Sequence, residues 1–355
     1  MIDNKYFFYR HDLDQSIYSI KTKIEYPSTL FALLKGEAIK DLTVKWFDNL
    51  NFNWTIDDQQ SLQTLYTERL KQIKKEYEHL ELWWSGGYDS NNILDVAVKS
   101  NISLDSIIIG GYGDVWGDKR WLNHELQKNK KHLDRYCEKF PKTKVIALDY
   151  KKLIPFQNFE KDKWLWAACS PCDYSLLTCY ADYVLPHREK YKTVSIYGSG
   201  EYKPLYNKKF NIWSFYKTAQ EINNPTGHFS NFARNLCFYD TPTIIRQQVH
   251  TIKNRMNIND PSKVVHPSHT DRRKIIYENH FPTVHIGNDD DYEIALIHPK
   301  QDWYYNNERL PIFNEYWKWC DWVNSQIPKE CLRDPRGYEY DYLKEDHMTK
   351  IIDIS

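Results

Sequence analysis

Leu80-Glu81-Leu82-Trp83-Trp84-Ser85-Gly86-Gly87-Tyr88-Asp89-Ser90, running on into Asn91-Asn92-Ile93-Leu94-Asp95-Val96-Ala97-Val98-Lys99, reads as strand, turn and helix in immediate succession. Leu80 to Trp84 reads as a buried strand, and from Asn91 to Lys99 the residues Ile93, Leu94, Ala97 and Val98 recur at helical spacing. Such a junction turns successive backbone N–H groups and the positive end of a helix toward one point, which suits a polyanion. Gly86 and Gly87 tolerate positive φ and admit a phosphate to the backbone. Ser85 and Ser90 add hydroxyl donors. Asp89 would repel a bare phosphate, so its presence there fits a ligand of Mg²⁺ travelling with a nucleotide. The turn lacks the Gly-Lys-Ser/Thr ending of a Walker loop. The same residue types also serve as an ordinary turn and helix cap, and the strand-turn-helix context is what favours the nucleotide.

Upstream, Leu62, Leu65, Tyr66, Leu70, Ile73 and Tyr77 form the stripe of an amphipathic helix between Gln59 and Glu78. Downstream, Leu104 to Ile109 predicts a second strand opening at Gly110-Gly111-Tyr112-Gly113-Asp114. A helix over Trp121 to Phe140, a third strand over Lys144 to Leu148, a helix over Asp173 to Leu185 and a fourth strand over Thr193 to Tyr197 follow. Strands alternating with helices predict an α/β fold: a parallel sheet with helices on both faces, and ligands at the carboxyl ends of its strands. Both glycine turns, Ser85 to Ser90 and Gly198-Ser199-Gly200-Glu201, fall at such ends and are expected to face one site. The expected organisation is an N-terminal extension of unknown role over residues 1–58, the core over 59–205, and a mostly helical lobe over 206–355.

The 355 residues carry 48 basic and 48 acidic side chains, so no global positive field exists to hold a nucleic-acid backbone. The 13 Trp and 27 Tyr are spread along the chain, which favours a core role over a stacking surface for bases. No window reaches the run of about 18 to 20 apolar residues of a membrane helix. Met1-Ile2-Asp3-Asn4-Lys5 lacks the apolar stretch of a signal peptide, and seven cysteines form no regular framework, so a reducing cytoplasm is the expected address.

Ser85-Gly86-Gly87-Tyr88-Asp89-Ser90 resembles the SGGxDS signature of the N-type ATP pyrophosphatases, the PP-loop superfamily. Within it the chain is most similar to the synthetase domain of asparagine synthetase and its relatives, the β-lactam synthetases and lasso-peptide cyclases, over about residues 60 to 285. Ser199-Gly200-Glu201 resembles that family's Ser-Gly-Glu turn, whose carboxylate assists proton transfer. Weaker likenesses are Leu236-Cys237-Phe238-Tyr239-Asp240 to a Pro-Phe-Leu-Asp stretch and Lys274-Ile275-Ile276-Tyr277 with Phe281-Pro282 to a Leu-Arg-x-x-Phe…Leu-Pro helix. The resemblance implies ATP and Mg²⁺ as cofactors. It implies binding by Ser85, Gly86, Gly87, Tyr88, Asp89, Ser90, Gly110, Ser199 and Gly200, metal contact by Asp89, and catalytic roles for Glu201 and Lys274. The implied activity is AMP-forming ligation of a small-molecule or peptide carboxylate to an amine or ammonia.

Departures from the family are as informative. After Ser-Gly-Glu the family continues Gly-x-Asp-Glu, whereas Tyr202-Lys203-Pro204-Leu205-Tyr206 follows here, so either Asp114 or Asp118 replaces the second metal aspartate or one Mg²⁺ contact is lost. The cation expected near the pyrophosphate has four candidates: Arg272, Arg273, Lys274 and Lys300. About 60 residues precede the first core helix and position 2 is Ile2, so the glutaminase domain of asparagine synthetases is not expected; nitrogen would come from free ammonia, a partner glutaminase or an amine substrate. Cys169-Ser170-Pro171-Cys172 with Cys179 has the spacing of half a zinc knuckle, but no second pair is evident, and buried small residues are the simpler reading. Two other activities fit fewer residues: adenylation of a nucleobase, supported by the cysteine pair and the aromatics, and nucleotide binding without catalysis, supported by the missing aspartate.

Overall fold

The computed structural model describes residues 15–26, 29–46, 53–111, 114–117, 126–149, 185–198, 203–207, 212–218, 232–235, 237–239, 241–255, 325, 327–332 and 349–354. In chain order its main elements are β1 (Gln15–Ser19), β2 (Glu25–Tyr26), α1 (Thr29–Leu34), β3 (Leu42–Trp46), α2 (Leu62–Glu76), β4 (His79–Trp83), α3 (Tyr88–Ser100), β5 (Ser106–Gly111), α4 (Lys130–Lys139), β6 (Lys144–Asp149), α5 (His187–Lys190), β7 (Thr193–Ile196), β8 (Lys203–Asn207), β9 (Ile212–Thr218), β10 (Phe232–Asn235), α6 (Pro242–Arg255) and β11 (Thr349–Asp353).

The core is a five-stranded sheet in the order β10-β7-β4-β5-β6, with every neighbouring pair parallel. From β4 the chain winds outward through β5 and β6, then returns to the other side of β4 with β7 and β10. The order therefore reverses between β4 and β7, and such a switch point opens a crevice at the carboxyl ends of the two strands.

Alternation along β4 separates the two faces of the sheet. Leu80 and Leu82 point into a cluster with Leu62, Tyr66, Leu70 and Ile73 of α2 and Ile93, Leu94 and Ala97 of α3. Each such fully buried large apolar side chain contributes about 1.5–3 kcal/mol. The stripe predicted for α2 is the face the helix buries, and Tyr77, one residue beyond its end, packs partly against the same cluster. α3 is buried on its polar side as well, including Asp89, Ser90, Asn91, Asn92 and Asp95. His79, Glu81 and Trp83 occupy the other face, where α5 packs through His187 and Arg188. The α/β architecture expected from the alternation is thus present, as a parallel sheet accompanied by helices.

The helical period expected beyond residue 205 holds in α6 but not before it. β8 and β9 pair as antiparallel strands and receive β11 from the end of the chain, in the order β11-β9-β8. β10 then supplies the fifth strand of the core sheet. Ile212-Trp213-Ser214-Phe215-Tyr216 is rich in the β-branched and aromatic types that fit a pleated surface, which explains the strand. The expected helix over 173–185 lies outside the described residues. Near the N-terminus, β2-β1-β3 form a small antiparallel sheet, and the buried Glu37 carboxylate accepts hydrogen bonds from Ser19, Thr22 and Tyr26, each at 2.6 Å.

Candidate functional site

The Ser85 to Ser90 turn leaves the carboxyl end of β4 at the switch point. Gly86 has φ +79°, a conformation that glycine adopts without strain. Gly87 (φ −75°, ψ 175°) caps α3, and the first bond of the helix runs from the Asn91 amide to the Gly87 carbonyl (3.0 Å). The N–H groups of the first turn lie beyond the reach of the helix's own carbonyls.

Internal bonds hold this shape. The Ser85 amide donates to Ser90 Oγ (3.3 Å), the Gly87 amide to Ser85 Oγ (3.3 Å), and the Ser90 hydroxyl to the Gly87 carbonyl (3.2 Å). Asn91 acts as a bracket: its amide donates to the Gly86 carbonyl (2.7 Å) while its own carbonyl accepts from Trp84 Nε1 (2.7 Å). Sequence reading took Asn91 only as the start of a helix, and its role appears only once Trp84 lies beside it.

Gly198 follows β7 and abuts the first turn of α3. A Cβ there would lie 2.6 Å from the Asp89 carbonyl carbon and 2.7 Å from both Asp89 Cβ and the Ser90 nitrogen. The chain after β7 therefore meets the turn after β4 at backbone contact distance, and only glycine fits. Asp89 is 9% exposed and lies in the first turn of α3. Tyr88 is buried. Gly110 sits near the end of β5, opposite Leu148 of β6. Ser199, Gly200, Glu201 and Lys274 lie outside the described residues, as do Arg272, Arg273, Lys300, Asp118, Cys169, Cys172 and Cys179. Asp114 is exposed and caps its own bend, accepting from the Trp116 amide (3.1 Å).

Aromatic rings stand at and beyond the strand ends. Trp83 and Tyr197, at the ends of β4 and β7, stack with centroids 5.9 Å apart. Beyond β5, Trp116 lies 6.5 Å from Trp84, with Lys130 Nζ 5.3 Å from its centroid.

A second polar cluster fills the α5 face of the sheet. Glu81, fully buried on β4, accepts at Oε1 from Arg188 and from the Ser195 hydroxyl (2.8 Å), while its Oε2 lies 2.7 Å from His187 Nε2. Burial raises the carboxyl pKa, but the Arg188 charge and the hydrogen bonds of His187, Arg188 and Ser195 outweigh it and hold the group at about 2. His79 stacks on His187 with centroids 4.2 Å apart and shares a 2.9 Å hydrogen bond with the Ser106 hydroxyl. Burial, then the neighbouring His187, lowers its pKa to about 4, so its ring is neutral at pH 7. The signal for this cluster was Glu81 itself, since a carboxylate inside a buried strand requires a charged partner.

No protein-family model matches the chain, and no curated protein matches it. Among the described residues, no helix is long and apolar enough to cross a membrane.

Proposed function

We propose that the chain is an ATP-dependent, AMP-forming carbon–nitrogen ligase that adenylates a substrate carboxylate and passes the acyl group to an amine or ammonia. The observation that carries this reading is the Ser85 to Ser90 turn, with its Ser-Gly-Gly-Tyr-Asp-Ser sequence, at the switch point of a parallel sheet and in backbone contact with Gly198. The family likeness of that motif and of Ser199-Gly200-Glu201 supports the choice of reaction.

In the first half-reaction a carboxylate oxygen attacks the α-phosphorus of ATP. A new P–O bond forms, the bond to the β-phosphate bridge breaks, and pyrophosphate leaves. The N–H groups and hydroxyls of the Ser85 to Ser90 turn bind the leaving group and stabilise the charge that develops on it. Asp89 would hold Mg²⁺, which when bound neutralises phosphate charge. In the second half-reaction the amine attacks the acyl carbon, AMP departs and the amine loses a proton, which Glu201 accepts. Lys274 is, with Arg272, Arg273 and Lys300, a candidate for the cation at the pyrophosphate.

The test supplies ATP with panels of carboxylates and amines and follows the nucleotide products. AMP and pyrophosphate formed only with a matching acid support the reading, whereas ADP and phosphate overturn it. With substrates in hand, Glu201→Gln is predicted to slow amide synthesis by about 10² to 10⁴ while substrate-driven pyrophosphate exchange survives better. Amide made at the wild-type rate would remove Glu201 from the mechanism.

A further inference from the structure

The cluster on the α5 face contains groups that the adenylation chemistry does not use. Ligand-capable atoms of His79, Glu81 and His187 all lie within 4.8 Å of one another. Glu81 divides its carboxylate between two sets of partners: Arg188 and Ser195 hold Oε1, while Oε2 faces His187. The partners of Oε1 fix the orientation of Oε2, as outer hydrogen bonds do for metal-ligating carboxylates. His79 is anchored in the same way. The tautomer that donates Nε2–H to Ser106 leaves the Nδ1 lone pair for an ion. Glu81 is buried, but the His187 side chain is 15% exposed, which gives the cluster a route to solvent.

We propose that His79, Glu81 and His187 form a binding site for a zinc-class divalent ion, with two imidazole nitrogens and one carboxylate oxygen as ligands and a fourth position open. Two imidazoles and a carboxylate make a three-ligand set used by zinc. Donors must lie about 2.0–2.2 Å from the ion, so the His187–Glu81 contact opens to roughly 3.3 Å as both turn toward it. The stacked rings must also rotate until their nitrogens point at the ion. Arg188 stays on the far carboxylate oxygen, and its positive charge lowers affinity for every cation. Imidazole donors then favour zinc over Mg²⁺, which prefers oxygen ligands. The site is separate from the phosphate turn, since His79 begins β4 and Ser85 follows its other end. Because its ligands come from β4 and α5, occupancy clips α5 to the central strand and stabilises the fold by mass action.

The test is a Co²⁺ titration of the full chain, stripped with chelator, in which d–d absorption reports tetrahedral coordination and zinc is then added as competitor. The proposal predicts one equivalent of cobalt displaced by zinc, no thiolate-to-cobalt charge-transfer band, and a melting temperature raised by zinc but not by Mg²⁺. His79→Gln and His187→Gln, each checked for native circular dichroism, are predicted to lose at least about 100-fold in affinity, since outer partners alone account for 10–100-fold. If the His79 variant does not fold, the His187 variant and the zinc-dependent melting shift of the wild type decide. Absence of stoichiometric binding by the folded wild type would overturn the site, as would a thiolate band, which would put the ion on cysteines, or histidine variants that bind like the wild type.

Discussion

Gly198 and Gly86 set the geometry of the crevice for different reasons. At Gly86 the constraint is φ +79°, and a side chain there incurs a backbone penalty of roughly 1–2 kcal/mol. At Gly198 the constraint is space: a methyl group would press on the backbone of Asp89 and Ser90. Gly198→Ala must therefore push the chain after β7 away from the first turn of α3. It is predicted to lower stability by about 1–3 kcal/mol, as overpacking does, and to weaken ATP binding more than tenfold. Denaturant unfolding and calorimetry measure the two effects, and an alanine variant with wild-type ATP affinity would show that this contact does not shape the site. The Ser85 to Ser90 turn was legible in sequence because its chemistry is local, six consecutive residues with the right backbone freedom. The bracket formed by Asn91 and the fit of Gly198 were not, because each depends on a neighbour supplied by tertiary packing.

Among elements, the joint between β4 and α5 carries the sharpest electrostatic consequence. Arg188 is fully buried against Glu81, so Arg188→Met leaves a buried carboxylate without its cation, at a cost of about 3–5 kcal/mol. Replacing both groups, as in Glu81→Leu with Arg188→Met, is predicted to cost much less, and equal losses in the single and double variants would contradict the account. The same cluster fixes how the chelator-treated protein responds to acid. Glu81 titrates at about 2 when folded against an ordinary 4.5, so its contribution is complete above 4.5 and is lost as pH falls toward 2. His79 titrates at about 4 against 6.5, so folding favours its neutral ring. That contribution is complete above pH 6.5 and is lost as pH falls toward 4. Stability is therefore predicted to decline on acidification from about pH 6.5, and His79→Phe to flatten the decline between 6.5 and 4 only. Urea unfolding at several pH values reads this directly. Helices such as α2 were legible because burial of one stripe leaves a period in the sequence. β8 and β9 were not, since short aromatic runs suit either structure.

Across the whole molecule, the parallel order β10-β7-β4-β5-β6 brings Gly198, after β7, against the Ser85 to Ser90 turn, about 110 residues earlier in the sequence. Strand alternation in the sequence was enough to predict a parallel sheet, whereas the reversal between β4 and β7 is a property of the assembled topology. Segment 53–58 is bound across α6, where Arg246 reaches Asp58 and the Asn53 carbonyl, and His250 Nε2 lies 2.8 Å from the Trp54 carbonyl. The approach to α2, and through it the packing behind β4, is thereby fixed to the C-terminal half of the described chain. This framework is proposed to hold the pyrophosphate of Mg-ATP on the Ser85 to Ser90 turn with Asp89 beside it. Titration calorimetry of Mg-ATP into the wild type and Asp89→Asn tests it most directly. The account predicts Mg-dependent binding by the wild type and, in a variant with unchanged circular dichroism, an affinity lower by about tenfold or more, equivalent to at least 1.4 kcal/mol. Absence of Mg-ATP binding by the folded wild type, or equal Mg-dependent affinity in both proteins, would contradict it.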